Sequence, residues 1–135
     1  MYSVGRPHAQ KEPSRSVIQL ASASDAFFTD AEVLQELLHR YIAINRWAAV
    51  QPQFASFLTL LEGRIEPVFA EDVVLAAELA ERYPSLSARD LVHTAIAVRV
   101  GAKHIVSADT SFDAVTEIER LDPMRVSVWR GMVTG

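Results

Sequence analysis

With 135 residues, half of them hydrophobic and 22% charged, the chain has the balance of one folded domain from end to end rather than of a disordered tail. The absence of Cys excludes disulfide frameworks, Cys-ligated zinc and thiol nucleophiles, so any metal must be held by carboxylate, imidazole or carbonyl groups. A net charge of −4 excludes a broad basic face that binds nucleic acid by charge alone, and leaves nucleic-acid binding open where a metal ion offsets acidic groups locally.

In chain order, a short helical pattern begun near Lys11 carries Val17, Ile18 and Leu20, and Ala26-Phe27-Phe28-Thr29 is brief, aromatic and β-like. Asp30 then reads as a helix N-cap, because Val33, Leu34, Leu37, Leu38, Tyr41, Ile42 and Ile44 recur at spacings of three and four and predict an amphipathic helix from Ala31 to about Arg46. Phe54, Phe57, Leu58, Leu60 and Leu61 predict a second helix stopped by Gly63. The following Ile65–Phe69 run is β-like, with Pro67 confining it to a sheet edge or a strand end. Val73 to Ala80 predicts a helix that ends before Pro84, and Ser87 opens another that runs to Gly101. His104 to Ser107 reads as a buried strand ending in Ala108-Asp109. A helical stretch around Phe112 to Ile118 and a last alternating strand, Arg125 to Trp129, complete the chain. Helices alternating with short apolar strands predict an α/β fold with a mainly parallel sheet. The longest charge-free stretch, Trp47 to Leu61, contains Pro52 and falls short of the roughly 18–20 apolar residues that cross a bilayer; Met1 opens no apolar signal core, so a cytoplasmic protein without a membrane partner is expected.

Four of the seventeen acidic residues stand apart. Glu36 lies on the flank of the first helix's apolar stripe, where a pairing with Arg40 at i+4 is the plain alternative. Asp90 sits third in the helix opened by Ser87, so Ser87-Ala-Arg-Asp90 also reads as a capping box. Asp109 follows the carboxyl end of a strand, where open parallel sheets bind ligands, although a turn-forming Asp fits as well. Asp113, four residues on, is explained equally by turn chemistry. Together they suit a hard divalent cation, because clustered carboxylates repel unless such an ion joins them.

Three stretches carry a resemblance. Thr29-Asp-Ala-Glu-Val-Leu-Gln-Glu36-Leu-Leu-His-Arg-Tyr41, Ser87-Ala-Arg-Asp90-Leu-Val-His-Thr-Ala-Ile-Ala97 and His104-Ile-Val-Ser107-Ala-Asp109-Thr-Ser-Phe-Asp113, in this order, resemble the PIN-domain ribonucleases of the VapC toxin type. The resemblance covers nearly the whole chain and implies a three-layer α/β fold with a mainly parallel central sheet between helices. It further implies an Mg²⁺- or Mn²⁺-dependent endoribonuclease, the toxin of a type II toxin–antitoxin pair, with Glu36, Asp90 and Asp109 as metal ligands, Asp113 as an accessory and Ser107 orienting carboxylates or water. RNA, a cognate antitoxin and a second copy of the chain are the implied partners.

The chain departs from that family at its start. Members open with a short apolar strand bearing a first Asp, whereas no acidic residue precedes Glu12 here. The expectation is therefore a single PIN-like domain, residues 1–135, lacking its first strand, as if Met1 were an internal methionine. The alternative is a degenerate, catalytically inactive interaction module, and Asp25 is a poor substitute for the missing acid. Glu36-x-x-His39 and Asp90-x-x-His93 also match the carboxylate–imidazole spacing of di-iron helix bundles, but the strand-like runs argue against four long helices. His39 and His93 then read as helix-boundary hydrogen-bond donors. Eleven of the thirteen basic residues are Arg, and Arg40, Arg46 and Arg89 are the expected RNA-backbone contacts. Trp47 and Trp129 read as core or interface residues.

Overall fold

The computed structural model describes residues 17–21, 23–24 and 26–134. The segment on which the expectation of a lost first strand rests lies outside them, as do Asp25, His8 and the pattern between Lys11 and Ser16. The described elements are β1 (Thr29–Asp30), α1 (Ala31–Ala43), α2 (Trp47–Leu60), β2 (Ile65–Glu66), α3 (Ala70–Arg82), α4 (Ala88–Val100), β3 (His104–Val106), β4 (Glu119–Leu121) and α5 (Val126–Thr134). A helical stretch, residues 17–21, precedes β1, and 3₁₀ turns cover Thr110–Ala114 and Pro123–Arg125. Every strand pairing is parallel: β1 with β2 in the register Thr29 to Ile65, and β3 with β4 in the register His104 to Glu119. Among the described residues these form two separate two-stranded sheets, and residues of both β1 and β3 line one cavity of about 380 Å³.

Local chemistry explains most boundaries. The Asp30 carboxylate accepts from the Val33 backbone N–H at 2.9 Å, a cap worth roughly 1 kcal/mol, and starts α1 as expected. Helix α1 ends at Ala43 rather than Arg46 because Asn45 turns to a φ of 56°, a conformation Asn tolerates better than most side chains. Helix α2 begins at Trp47, ahead of the Phe54 pattern, since its exposed Ala48 and Ala49 carry no apolar periodicity, and it encloses Pro52. Gly63 and Gly101, at φ 79° and 76°, make the left-handed turns that follow α2 and α4. Ser87 Oγ accepts from Asp90 N at 3.2 Å and caps α4.

Two expectations fail at the C-terminal end. The strand expected over Arg125–Trp129 is the helix α5: Asp122 caps Met124 N at 2.8 Å with Pro123 behind it, and the buried Val126 and Trp129 are three apart while Val128 is 71% exposed. The last strand lies earlier, at Glu119–Leu121, where the helical stretch expected up to Ile118 is only a 3₁₀ turn followed by extended chain. Strand β3 is half-buried rather than buried.

Two apolar clusters hold the elements. Ala76, Leu79, Tyr83, Leu86, Leu91, Ala95, Ala97, Phe112, Val115 and Ile118 join α3, α4 and the chain between β3 and β4. Val17, Leu20, Ala21, Phe27, Leu121, Val126 and Trp129 form the second, in which Trp129 also donates from Nε1 to the Asp122 carbonyl at 2.8 Å. Arg64 ties the turn after α2 to the chain before β1, donating to the carbonyls of Ala21, Ser24, Phe27 and Leu60 at 2.8–3.3 Å.

Candidate active site: an acidic cavity beyond two strand ends

Glu36, Asp90 and Asp109 come from α1, α4 and the turn after β3, and all three line the cavity shared by β1 and β3. Asp30, His93 and Ser107 line it too. The cavity runs alongside β1 and β3, from Ala26 and Ala102 ahead of them to Glu36 and Asp109 past their carboxyl ends, and the acidic residues lie at that far end, where parallel sheets present their loops to ligands.

Each carboxylate is held differently. Asp109 Oδ1 accepts from Ser111 N at 2.9 Å and Ser111 Oγ at 2.6 Å, and these bonds keep its carboxyl below the usual range. Ser107, buried at the strand end, accepts from Asp109 N at 3.0 Å and so shapes the turn that presents Asp109. Asp90 is shifted the other way: burial raises its pKa, and the charges of Asp109 and Glu36 add to the rise against a lowering contact from Ser87. Glu36 is held low, chiefly by His93, with burial acting against it and Arg89 and Arg40 assisting by charge. Its ion-pair neighbours are His93 Nε2 at 3.7 Å and Arg89 Nη1 at 4.0 Å, so the pairing with Arg40 is electrostatic only.

His93 is the residue that spacing alone did not place. It is buried, its Nδ1 lies 2.7 Å from Asp30 Oδ2, and its pKa is raised to about 9: burial alone would lower it, but the contacts with Asp30 and Glu36 win. Its partner Asp30 is 63 residues away, a pairing that only tertiary structure reveals. His39 is exposed and does not line the cavity, so the two carboxylate–imidazole spacings do not converge as a di-iron site requires. Asp113 does not join the cavity lining either: it is exposed and paired with Arg120, Nε to Oδ1 at 2.8 Å and Nη2 to Oδ2 at 3.3 Å, while Arg120 Nη1 donates to the Ser107 carbonyl. Asp72 is a further buried carboxylate, but it is satisfied by Arg99 Nε at 2.8 Å and Phe69 N at 2.8 Å and lies outside the cavity lining.

Residues 2–118 match the PIN domain family. The chain is 38% identical over 122 residues to a VapC ribonuclease of Mycobacterium bovis and to ribonuclease VapC13 of Mycobacterium tuberculosis, which covers 90% of this chain and 92% of each relative. It is also 38% identical over 112 residues to ribonuclease VapC23 of Mycobacterium tuberculosis, covering 81% of this chain and 86% of that one. The chain belongs to the VapC ribonuclease family of PIN domains. No solved structure matches it. Among the described residues a largely helical chain with parallel strand pairs is consistent with the α/β fold of a PIN domain. Among the described residues no helix is long and apolar enough to cross a membrane.

The donor chemistry suits the divalent cation that the sequence implied. Three carboxylates are hard oxygen donors, and the pKa of Asp90 is raised chiefly by burial, with the charges of Asp109 and Glu36 adding to the rise; a cation would offset both. Among the described residues no three acidic or imidazole side chains already stand together as a ligand set. Mg²⁺ needs less than that, since it is commonly held by one or two carboxylates with waters and substrate phosphate. Asp90 and Asp109, close enough that the Asp109 charge raises Asp90 while a side-chain hydrogen bond with Asp90 lowers Asp109, are the pair that would hold it, with Glu36 as the third donor.

Proposed function

We propose that this chain is an Mg²⁺- or Mn²⁺-dependent endoribonuclease, the toxin component of a type II toxin–antitoxin system acting in the cytoplasm. The observation that carries the reading is the convergence of Glu36, Asp90 and Asp109, from three separate elements, on one cavity in a chain whose relatives are named ribonucleases. Held by Asp90, Asp109 and Glu36, a divalent cation would supply a nucleophile at neutral pH and offset charge on the phosphate. Asp109, kept ionised and oriented by Ser111, and Asp90, at the N-terminus of α4, form the acidic floor of the cleft. Half-exposed Arg89, beside Glu36, is the residue placed to meet the RNA backbone at the rim. The partners proposed are a cognate antitoxin and a second copy of the chain; exposed Leu38, Ile42 and Ile44 on and after α1 offer apolar surface for contact.

The test is cleavage of a structured RNA pool by the purified chain with Mn²⁺, with EDTA, and with the Asp90→Asn variant in parallel. Cleavage that stops in EDTA and falls on the order of 100-fold or more in Asp90→Asn is expected. Cleavage that ignores both contradicts the reading. The lack of a ready three-residue ligand set among the described residues favours one rival, a PIN-like interaction module, which predicts a folded chain that cuts nothing.

A further inference from the structure

We infer that His93 is a positioning residue: anchored on Asp30, it holds the Glu36 carboxylate toward the cavity that Asp90 and Asp109 share. The inference rests on the metal-dependent reading above and adds to it the means by which the third carboxylate is aimed.

The geometry leaves the ring one orientation. Asp30 is fixed first, because its Oδ1 accepts from Val33 N at 2.9 Å as the cap of α1. Its other oxygen, Oδ2, lies 2.7 Å from His93 Nδ1, and both side chains are more than nine-tenths buried. With Nδ1 committed, the imidazole plane is set, and Nε2 faces Glu36 Oε2 at 3.7 Å. At 3.7 Å this is an ion-pair contact rather than a direct hydrogen bond. A Glu side chain with a third of its surface exposed would otherwise sample several rotamers, a freedom that must be given up when it binds an ion. Asp90 and His93 are one turn apart on α4, so the same helix supplies a ligand candidate and the clamp for another.

A buried histidine that only stabilises the fold is the competing account, and the direction of a metal-affinity change separates the two. A histidine that only supports the fold leaves the Mn²⁺ affinity of a folded variant unchanged, whereas one that aims Glu36 weakens it when replaced. Loss of affinity therefore reports loss of positioning. Mn²⁺ binding to the full chain, measured by calorimetry, is expected to weaken about tenfold in His93→Gln, the lower end of what supporting groups around metal ligands contribute. The double variant Glu36→Gln/His93→Gln should bind no more weakly than Glu36→Gln, because His93 acts through Glu36. Unchanged or tighter binding by a folded His93→Gln overturns the inference alone. A wild-type chain that binds no Mn²⁺ overturns both the inference and the metal-dependent reading. Should His93→Gln not fold, the wild type serves: Mg²⁺ must shift the His93 Nε2–H resonance and leave exposed His39 in place, and a His93 signal that Mg²⁺ does not move overturns the inference.

Discussion

The two helix pairs α1–α2 and α3–α4 differ in what they bury. Helices α3 and α4 bury Asp72, Ala76, Leu79, Leu91, His93, Thr94, Ala95, Ile96 and Ala97 between them. Helix α1, with the clearest apolar periodicity in the chain, buries only Tyr41, and α2 buries only Phe57. Periodicity thus predicts the helix correctly without saying that this chain covers its stripe, since Leu38 and Ile42 remain exposed. The candidate site draws on both regions. Asp90 belongs to the firmly packed pair and Glu36 to the loosely packed one, and the Asp30–His93 bond crosses between them.

The contrast can be broken from its firm side first. Leu79, 1% exposed in the α3–α4 cluster, should cost about 4 kcal/mol when changed to Ala, read as a lowered midpoint of urea unfolding. Next in size is the bond between the regions. Below pH 6.5 the His93 imidazole is protonated in the folded and unfolded chain alike, so its full contribution is present. As the pH rises toward the folded value of about 9 the unfolded chain has already lost the proton, and stability on the order of 3 kcal/mol is lost. Metal-free unfolding midpoints should therefore fall between pH 6.5 and 9, and a flat profile over that range contradicts the pairing. The smallest effect is expected on the loose side: Ile42→Ala, at a position 57% exposed, should change stability by less than about 0.5 kcal/mol. A loss as large as that of Leu79→Ala would show that α1 is as tightly packed as α4.

What the sequence made legible follows the same division between local and distant causes. The caps Asp30 and Ser87 and the turns at Gly63 and Gly101 are set by nearest neighbours, and the structure keeps them. Glu36, Asp90 and Asp109 were placed by resemblance to a family, and the fold brings them to one cavity. Strand β4 was missed because Glu119-Arg120-Leu121 is short and polar and exists only by pairing with β3. The strand expected at Arg125–Trp129 failed because its alternation was incidental, while Asp122-Pro123 carried the helix-start signal that should have outweighed it. Asp113, expected only as an accessory, is held away by Arg120, seven residues on, a pairing that its position after Asp109 does not reveal. The role of His93 was illegible because its partner Asp30 is distant in sequence.

The central claim is that the carboxylates of one cavity, and not acidity in general, give this VapC-family chain its activity. The most direct measurement is Mn²⁺-dependent RNA cleavage by Glu36→Gln, Asp90→Asn and Asp109→Asn beside Asp113→Asn, each shown to be folded. The first three should lose cleavage on the order of 100-fold while Asp113→Asn, outside the cavity lining, keeps most of it. Full activity in any of the three, or an equal loss in Asp113→Asn, would contradict the account.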